Sequence, residues 1–259
     1  SSSAASDVYK RQKENITVKC ENNRYTISGT IPKRKDRYRL YLSIARPDSL
    51  FITDLQEKFQ TAGIEVKNSN LGQLPETTWF HYPSDYLGDI VHSLNVRSDN
   101  LYAESVLRLL SLSDHEKGSA EKGIDIIRKY WQNYEADSLE LFMYDGSGLA
   151  RNNKVSAKYL NCVLKETARD SLIGEYFVQT LPLAGKEGSV ATIIKHGELP
   201  GELRLKSGSM SDVHAYAGYY TTPQNRYAIV VMINNYTCTR AQLKQKISTL
   251  LTQVLSKKE

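Results

Sequence analysis

Three β-rich stretches near the carboxyl end of the chain constrain its fold most strongly. They read LRLKSGS (residues 203–209), AYAGYYTT (215–222) and YAIVVMINN (227–235), and their β-branched and aromatic content favours strands. Pro223, Gln224 and Asn225 supply turn residues between the last two stretches. The pattern predicts three consecutive antiparallel strands.

Helices are predicted on both sides of these strands. The closing helix is expected to bury five apolar residues at helical spacing: Leu243, Ile247, Leu250, Leu251 and Val254. Another helix is predicted between Pro47 and Gly63, a residue suited to a left-handed helix end. Further helices are predicted over residues 85–94, 101–110, 119–133 and 157–169. The order of elements indicates an α+β domain, with helices packed on an antiparallel sheet.

The amino-terminal part has a different character. Residues 15–45 contain the β-rich stretches ITVKC, RYTISGTI and YRLYLSIA, and residues 64–66 are predicted to begin a further strand. The opening SSSAASDVYKRQ resembles translated linker sequence more than a natural amino terminus. Residues 1–12 are therefore predicted to be a non-native leader.

Composition excludes several classes of protein. The 259 residues carry a formal net charge of +5, and the one dense basic cluster spans residues 33–39. No nucleic-acid-binding motif accompanies that cluster, so a solvated strand edge or turn is favoured over a nucleic-acid partner.

The three cysteines, Cys20, Cys162 and Cys238, lie far apart in the sequence and lack metal-ligand spacing. One disulfide between two of them is left open. Neither a metal site nor a cofactor is predicted.

Two tripeptides carry the residue types of a catalytic site. The first is Ser98-Asp99-Asn100, between two predicted helices, and the second is Lys206-Ser207-Gly208, on a predicted strand. Taken singly, each has a simple structural explanation: Ser98 or Asn100 as a helix N-cap, and Lys206 as an exposed strand residue. Penicillin-recognising serine enzymes, however, use Ser-x-x-Lys, then Ser-x-Asn, then Lys-Ser/Thr-Gly, and the last two occur here in that order.

Four longer stretches make the resemblance specific. They are PDSLFITDLQEKFQTAGIEV, SDYLGDIVHSLNVRSDNLYAESVLR, DGSGLARNNKVSA, and LPLAGKEGSV followed by LRLKSGSMSDVHAYAGYYTT. In this order they resemble the penicillin-binding proteins of the DacB type, peptidase family S13. The resemblance covers most of residues 47–236. It implies the penicillin-binding-protein and β-lactamase-like fold.

The resemblance also implies a role for each motif residue. Ser98 would relay a proton, and Asn100 would hydrogen-bond the substrate amide. Lys206 would supply positive charge, lower the pKa of the catalytic lysine and attract the substrate carboxylate. Ser207 would bind that carboxylate, and Gly208 would leave room for the acyl chain. The backbone N–H of Ser209 would be one oxyanion-hole donor.

The signature Asp145-Gly146-Ser147-Gly148 is expected to act differently. Two glycines and an Asp in four residues favour a tight turn, and structural support of the cleft is the preferred interpretation. Ser147 is not expected to be a nucleophile, since DGSGL is not the GxSxG elbow of α/β-hydrolases.

The first catalytic element is missing from its expected place. The sole Ser-x-x-Lys match, Ser119 to Lys122, follows Ser98 in a polar stretch and is interpreted as the start of a surface helix. In this family, extra domains are inserted between the first and second elements. The chain is therefore predicted to consist of the leader 1–12, the β-rich remainder of an inserted domain (13–46), and the carboxyl-terminal part of the penicillin-binding domain (47–259), with the nucleophile upstream.

The implied function is a serine-type D-Ala-D-Ala carboxypeptidase, with or without endopeptidase activity. Its substrates would be peptidoglycan stem peptides ending in D-Ala-D-Ala, its inhibitors β-lactams, and its location the periplasm or cell envelope, while the present chain alone would be inactive. Three alternatives stay open: a catalytically dead cell-wall-binding protein, a β-lactamase and a basic nucleic-acid-binding protein. Covalent labelling by penicillin, rapid β-lactam hydrolysis and salt-dependent nucleic-acid binding distinguish them.

Overall fold

The structure is a computed structural model that describes residues 15–21, 24–31, 46–66, 81–114, 117–134 and 140–257. The chain forms two compact units, residues 1–80 and 81–259. The predicted leader, the third β-rich stretch and the basic cluster lie outside the described residues. The domain limits predicted from the sequence stay predictions.

The first unit contains a hairpin and a helix. Strands β1 (Asn15–Glu21) and β2 (Arg24–Thr30) pair antiparallel. Helix α1 (Pro47–Thr61) begins with proline in its first turn, and Gly63 follows with φ +74°. The prediction of a strand from residue 64 is wrong for the described residues 64–66, because the Ile64 N–H donates to the Phe59 carbonyl at 2.8 Å and closes the end of the helix instead.

The three predicted antiparallel strands are confirmed and form the sheet of the second unit. They are β5 (Glu202–Met210), β6 (Val213–Thr221) and β7 (Arg226–Asn234), in that spatial order. The register is continuous from Glu202 opposite Thr221 to Met210 opposite Val213. Among the described residues no strand pairs with the outer edge of β7. Strand β5 forms the opposite edge of the sheet and carries Lys206.

The closing helix α7 (Arg240–Leu255) covers the sheet. A capping box starts it, because the Gln242 N–H donates to Thr239 Oγ1 and Gln242 Oε1 accepts from the Thr239 N–H. Its buried residues are Leu243, Ile247, Leu251 and Leu255. The prediction was wrong at Leu250 and Val254, which are 51% and 48% exposed, because the stripe in contact with the sheet advances by four residues each time and they lie beside it.

The remaining helices of the second unit precede the sheet. They are α2 (Leu87–Arg97), α3 (Asn100–Leu109), α4 (Ala120–Trp131), α5 (Ala157–Arg169) and α6 (Gly174–Thr180). Helix α5 has its predicted bounds, α2 runs three residues beyond its predicted end, and α6 was not predicted. Short strands β3 (Leu141–Phe142) and β4 (Lys154–Val155) pair beside them.

Helix α3 packs against α4 through the face that carries Leu107. Leu107 is buried, whereas Leu101 and Leu109 are more than half exposed. The cause is Gly123 on α4, where an added Cβ would lie 2.2 Å from the Leu107 carbonyl oxygen. The two helices therefore approach most closely at Leu107, which the apolar pattern of α3 alone does not reveal.

The described helices and cysteines bear on membrane insertion and on disulfide formation. No helix in the described parts of the chain combines the length and apolar character needed to cross a bilayer. Cys20, Cys162 and Cys238 are all described, and none is joined to another in a disulfide. The α+β class expected from the sequence is confirmed.

Candidate active site

Ser98 lies where helix α2 turns into helix α3. Its backbone is left-handed, with φ 54° and ψ 51°, a conformation that costs a non-glycine residue about 1–2 kcal/mol. Asp99, rather than Ser98 or Asn100, caps α3, because its Oδ1 accepts from the Tyr102 N–H at 3.1 Å. The N-cap explanation of Ser98 is therefore wrong, and the Ser98 hydroxyl is left for another contact.

A buried polar pair fixes the end of α2 just before Ser98. Asn95 is 7% exposed, and its Nδ2 donates to Thr180 Oγ1 at 3.1 Å. The Thr180 hydroxyl in turn donates to the Phe177 carbonyl at 2.7 Å. Because buried amides and hydroxyls keep their partners, this contact holds the last turn of α2 against α6.

Lys206 reaches Ser98 from strand β5. Its Nζ donates to Ser98 Oγ and to the Ser207 carbonyl, each at 2.8 Å. Burial lowers the pKa of Lys206, and no described carboxylate forms an ion pair with it. A half-buried ammonium without an acidic partner is a strong attractor for an anionic ligand.

The outer edge of β5 is half occupied. The Leu205 N–H donates to the Pro182 carbonyl at 3.0 Å, and the Ala184 N–H donates to the Leu203 carbonyl at 2.8 Å. The preceding loop thus covers the first part of the edge. Since alternate residues of a strand present their peptide groups to the same edge, those of Ser207 also point outward.

The second part of that edge is accessible. Ser209 and Gly208 are exposed, and a Cβ added at Gly208 would meet nothing within 4 Å. By the same alternation, the N–H of Ser209 points to the outer edge, where the oxyanion-hole donor was predicted. This stretch of β5 therefore has open space beside Gly208.

Asn100 is close to Ser98 in sequence, but the hydrogen bond between Ser98 and Lys206 does not involve it. It opens α3 with an exposed side chain. Among the described residues no hydrogen bond joins its side chain to Ser98 or Lys206. Its contact with a substrate amide stays a prediction.

The Asp145–Gly148 segment forms the predicted turn. Asp145 Oδ1 accepts from the Gly148 N–H at 2.8 Å and from Asn153 Nδ2 at 2.7 Å, and its Oδ2 accepts from the Ala150 N–H at 2.6 Å. The Asp145 carboxylate thus ties the loop to itself.

Glu104 joins this turn to the helix that begins at Asn100. Its Oε1 accepts from the N–H groups of Gly146 and Ser147, each at 3.0 Å, and from Ser147 Oγ at 2.7 Å. A Cβ added at Gly146 would lie 2.6 Å from the Ala103 carbonyl oxygen, so the turn sits directly on α3. The Ser147 hydroxyl is therefore engaged in support of the helix.

Replacing Glu104 by alanine is expected to lower the free energy of unfolding by about 2–3 kcal/mol, because three donors lose a charged acceptor. Burial acts to raise the pKa of Glu104, but the hydrogen bonds from Ser147 and Gly146 outweigh it and the pKa is lowered. The stabilisation is thus present at neutral pH and is lost as pH falls through the folded-state pKa. Urea unfolding at several pH values measures both effects.

Glu166→Ala is the matched control for this substitution. Glu104 forms an ion pair with Arg108 on its own helix at 3.2 Å, and Glu166 forms a similar pair with Arg169 at 2.7 Å. Glu166 thus matches the ion pair of Glu104 and controls for its loss, so a cost of about 0.5 kcal/mol or less is expected. Equal losses for the two variants would contradict the role given to Glu104.

Sequence reasoning missed three residues of this region: Asn95, Glu104 and Ser189. The last has its hydroxyl 2.5 Å from that of Ser207. Glu104 was the most accessible to prediction, since it lies four residues after Asn100 and therefore near the same helix face. No local pattern links Asn95 or Ser189 to its partner.

Comparisons with known proteins address the family of the chain. A sequence model described as the D-Ala-D-Ala carboxypeptidase 3 (S13) family matches residues 2–257. D-alanyl-D-alanine carboxypeptidase DacB of Haemophilus influenzae is 25% identical over 240 residues, which are 89% of this chain and 50% of that protein. A D-alanyl-D-alanine carboxypeptidase of an Actinomadura species is 24% identical over 226 residues, 83% of this chain and 42% of that protein. The chain thus spans about half the length of these curated relatives.

The fold is shared as well. The crystal structure of penicillin binding protein 4 (dacB) from H. influenzae, complexed with a β-lactam, superposes with a TM-score of 0.76 at 24% identity and covers 93% of this chain and 58% of that one. The expected penicillin-binding-protein fold is confirmed. With a family match that runs nearly from end to end, the chain belongs to the D-Ala-D-Ala carboxypeptidase 3 (S13) family.

Proposed function

We propose that the protein is a serine-type D-Ala-D-Ala carboxypeptidase that acts on peptidoglycan stem peptides through an acyl-enzyme. The observation that carries the proposal is the 2.8 Å hydrogen bond from Lys206 Nζ to Ser98 Oγ, which joins two motifs 108 positions apart. Membership of the family supports the same reaction. Because peptidoglycan lies outside the cytoplasm, the proposed location is the cell envelope.

The nucleophilic serine would come from a Ser-x-x-Lys segment outside these 259 residues. Its oxygen attacks the carbonyl carbon of the penultimate D-Ala, a C–O bond forms, and the C–N bond to the terminal D-Ala breaks. The serine proton passes to the departing amine. Water then cleaves the ester, which yields the shortened peptide and returns a proton to the serine.

Ser98 and Lys206 are suited to the proton transfer. Because Lys206 Nζ donates to Ser98 Oγ, the hydroxyl proton of Ser98 is directed away from the lysine. Ser98 can give that proton to the departing nitrogen. Its Oγ then takes a proton from the Lys206 ammonium or from the nucleophilic serine. The lowered pKa of Lys206 brings its proton within easier reach of such an exchange.

The same cluster is suited to recognition of the substrate. The Lys206 ammonium lacks an acidic partner among the described residues and would attract the carboxylate of the terminal D-Ala. The Ser207 hydroxyl would hydrogen-bond that carboxylate, and the Ser209 N–H would stabilise the oxyanion. The H. influenzae structure is described as a β-lactam complex, which supports β-lactams as inhibitors of the complete protein.

Labelling with a fluorescent penicillin tests the proposal. We expect the product of the complete gene to be labelled stoichiometrically and the 259-residue chain alone to stay unlabelled, because its one Ser-x-x-Lys match is a helix cap. In the structure, Ser119 Oγ accepts from the Lys122 N–H at the start of α4. Mass spectrometry of both proteins after incubation gives the measurement.

Three results would contradict parts of this proposal. Stoichiometric labelling of the chain alone would refute the external nucleophile. An unlabelled complete protein that still binds cell-wall peptide would favour a catalytically dead binding protein. Rapid turnover of the penicillin would indicate a β-lactamase.

A further inference from the structure

Ser189 places a second hydroxyl beside the Ser207 hydroxyl. The two oxygens lie 2.5 Å apart, and either can be the donor. Ser189 is exposed in a 3₁₀ turn, Gly188–Val190, and comes from a loop that none of the three catalytic motifs includes. Ser98, Lys206 and Ser207 are joined by hydrogen bonds, and the contact adds Ser189 to this series.

The turn that carries Ser189 is held rigidly. Val190 is completely buried, and its carbonyl accepts from the Gly185 N–H at 3.1 Å. Glu187 Oε2 accepts from the Leu183 N–H at 2.7 Å. Ser189 therefore meets Ser207 from a fixed backbone, and the contact does not depend on a flexible loop.

The proton count of the pair leaves one donor for a ligand. Each serine hydroxyl has one proton and two acceptor positions. One proton lies between the oxygens, so the other points away from the pair. If Ser189 donates to Ser207, the Ser207 proton faces outward, and the hydrogen bond it receives makes Ser207 a stronger donor.

Charge decides which serine presents its proton. Lys206 Nζ binds the Ser207 carbonyl at 2.8 Å, so an anion drawn to the ammonium arrives beside Ser207. The anion attracts the Ser207 proton, and Ser189 then supplies the proton between the two oxygens. Resting on the proposed function, we infer that Ser189 is a positioning residue that directs the Ser207 O–H bond at the carboxylate of the terminal D-Ala.

Two matched peptides test this inference in the complete protein. One is an acylated D-Ala-D-Ala with a free carboxylate, and the other is the same peptide ending in a carboxamide. For Ser189→Ala we expect the KM for the carboxylate peptide to rise about fivefold to tenfold, with kcat changed less than about twofold. The KM for the carboxamide peptide is expected to stay within about twofold.

Two variants serve as controls. Ser189→Thr keeps a hydroxyl and is expected to restore the carboxylate KM to within about twofold of the unsubstituted protein. Thr192→Ala, an exposed site three residues further along, is expected to leave both KM values unchanged. The ratio of the two KM values is independent of the folded fraction, because both are measured on one preparation.

The outcomes distinguish the inference about Ser189 from the proposed carboxypeptidase function. Equal rises of KM for both peptides in Ser189→Ala, or failure of Ser189→Thr to restore the carboxylate KM, would overturn the inference and leave the carboxypeptidase proposal standing. Failure of the unsubstituted protein to cleave either peptide would overturn both.

Discussion

The complete protein with Lys206→Ala is expected to react with penicillin about 10³-fold more slowly, measured as the second-order rate constant of acylation. The substitution removes the donor to Ser98 Oγ and the cation that attracts the ligand carboxylate. Stopped-flow or gel-based kinetics with a fluorescent penicillin measures the effect. Hydrolysis of an acylated D-Ala-D-Ala peptide should fall in parallel.

The stability of this variant separates a chemical effect from misfolding. Burial lowers the pKa of Lys206, so the charged form is held at a cost to the fold and its removal is not expected to reduce the melting temperature. Lys195→Ala, which removes an exposed lysine, controls for net charge and should leave acylation unchanged. Acylation by Lys206→Ala within about threefold of the unsubstituted rate would refute the catalytic role.

The second large effect is expected for Gly188→Ala. Gly188 has φ +50°, and an added Cβ would lie 2.3 Å from the Val96 carbonyl oxygen in the last turn of α2. The added Cβ is fixed to the loop backbone, and the Val96 oxygen belongs to the helix backbone. Neither atom can rotate away, so the loop and the helix must separate. We expect the free energy of unfolding to fall by about 2–4 kcal/mol. The acylation rate should fall about 10²-fold, since Ser98 follows Val96 by two residues and would move away from Lys206.

Gly197→Ala isolates the steric part of this prediction. Gly197 also has a positive φ, +83°, but a Cβ there would meet nothing within 4 Å. Its substitution adds the backbone strain of about 1–2 kcal/mol without the collision. Acylation by Gly197→Ala should stay near the unsubstituted rate, and an equal loss in both variants would show that the approach of Gly188 to Val96 does not position the site.

Most of the sheet was predictable from sequence because two of its strands carry their own signal. The strands β6 and β7 are rich in β-branched and aromatic residues and are separated by a short turn, so local composition was sufficient for them. Strand β5 has neither residue type, and it was predicted together with its neighbours. The buried face of α7 was predicted less accurately. Leu250 and Leu251 are adjacent and both apolar, and only contact with the sheet decides that Leu251 and Leu255 lie inward.

The candidate site was predictable to the extent that short motifs define it. Ser98 and Lys206 were found because their residue types recur in a known order, and the structure brings their side chains together. Ser189 and Glu104 were not found, since each acts through a partner 18 or more positions away. Gly188 was overlooked for a related reason: its importance comes from a carbonyl oxygen on another helix, which no pattern in its own segment reveals.

The outer edge of β7 has a consequence for handling the protein in isolation. No described strand covers it, and Ile229, Val231 and Ile233 pack beside the core there. An uncovered apolar strand offers its peptide groups to any extended segment that meets it. In a concentrated solution of the described segments alone, we expect association between copies to begin at that edge, and a charged substitution there is expected to improve solubility.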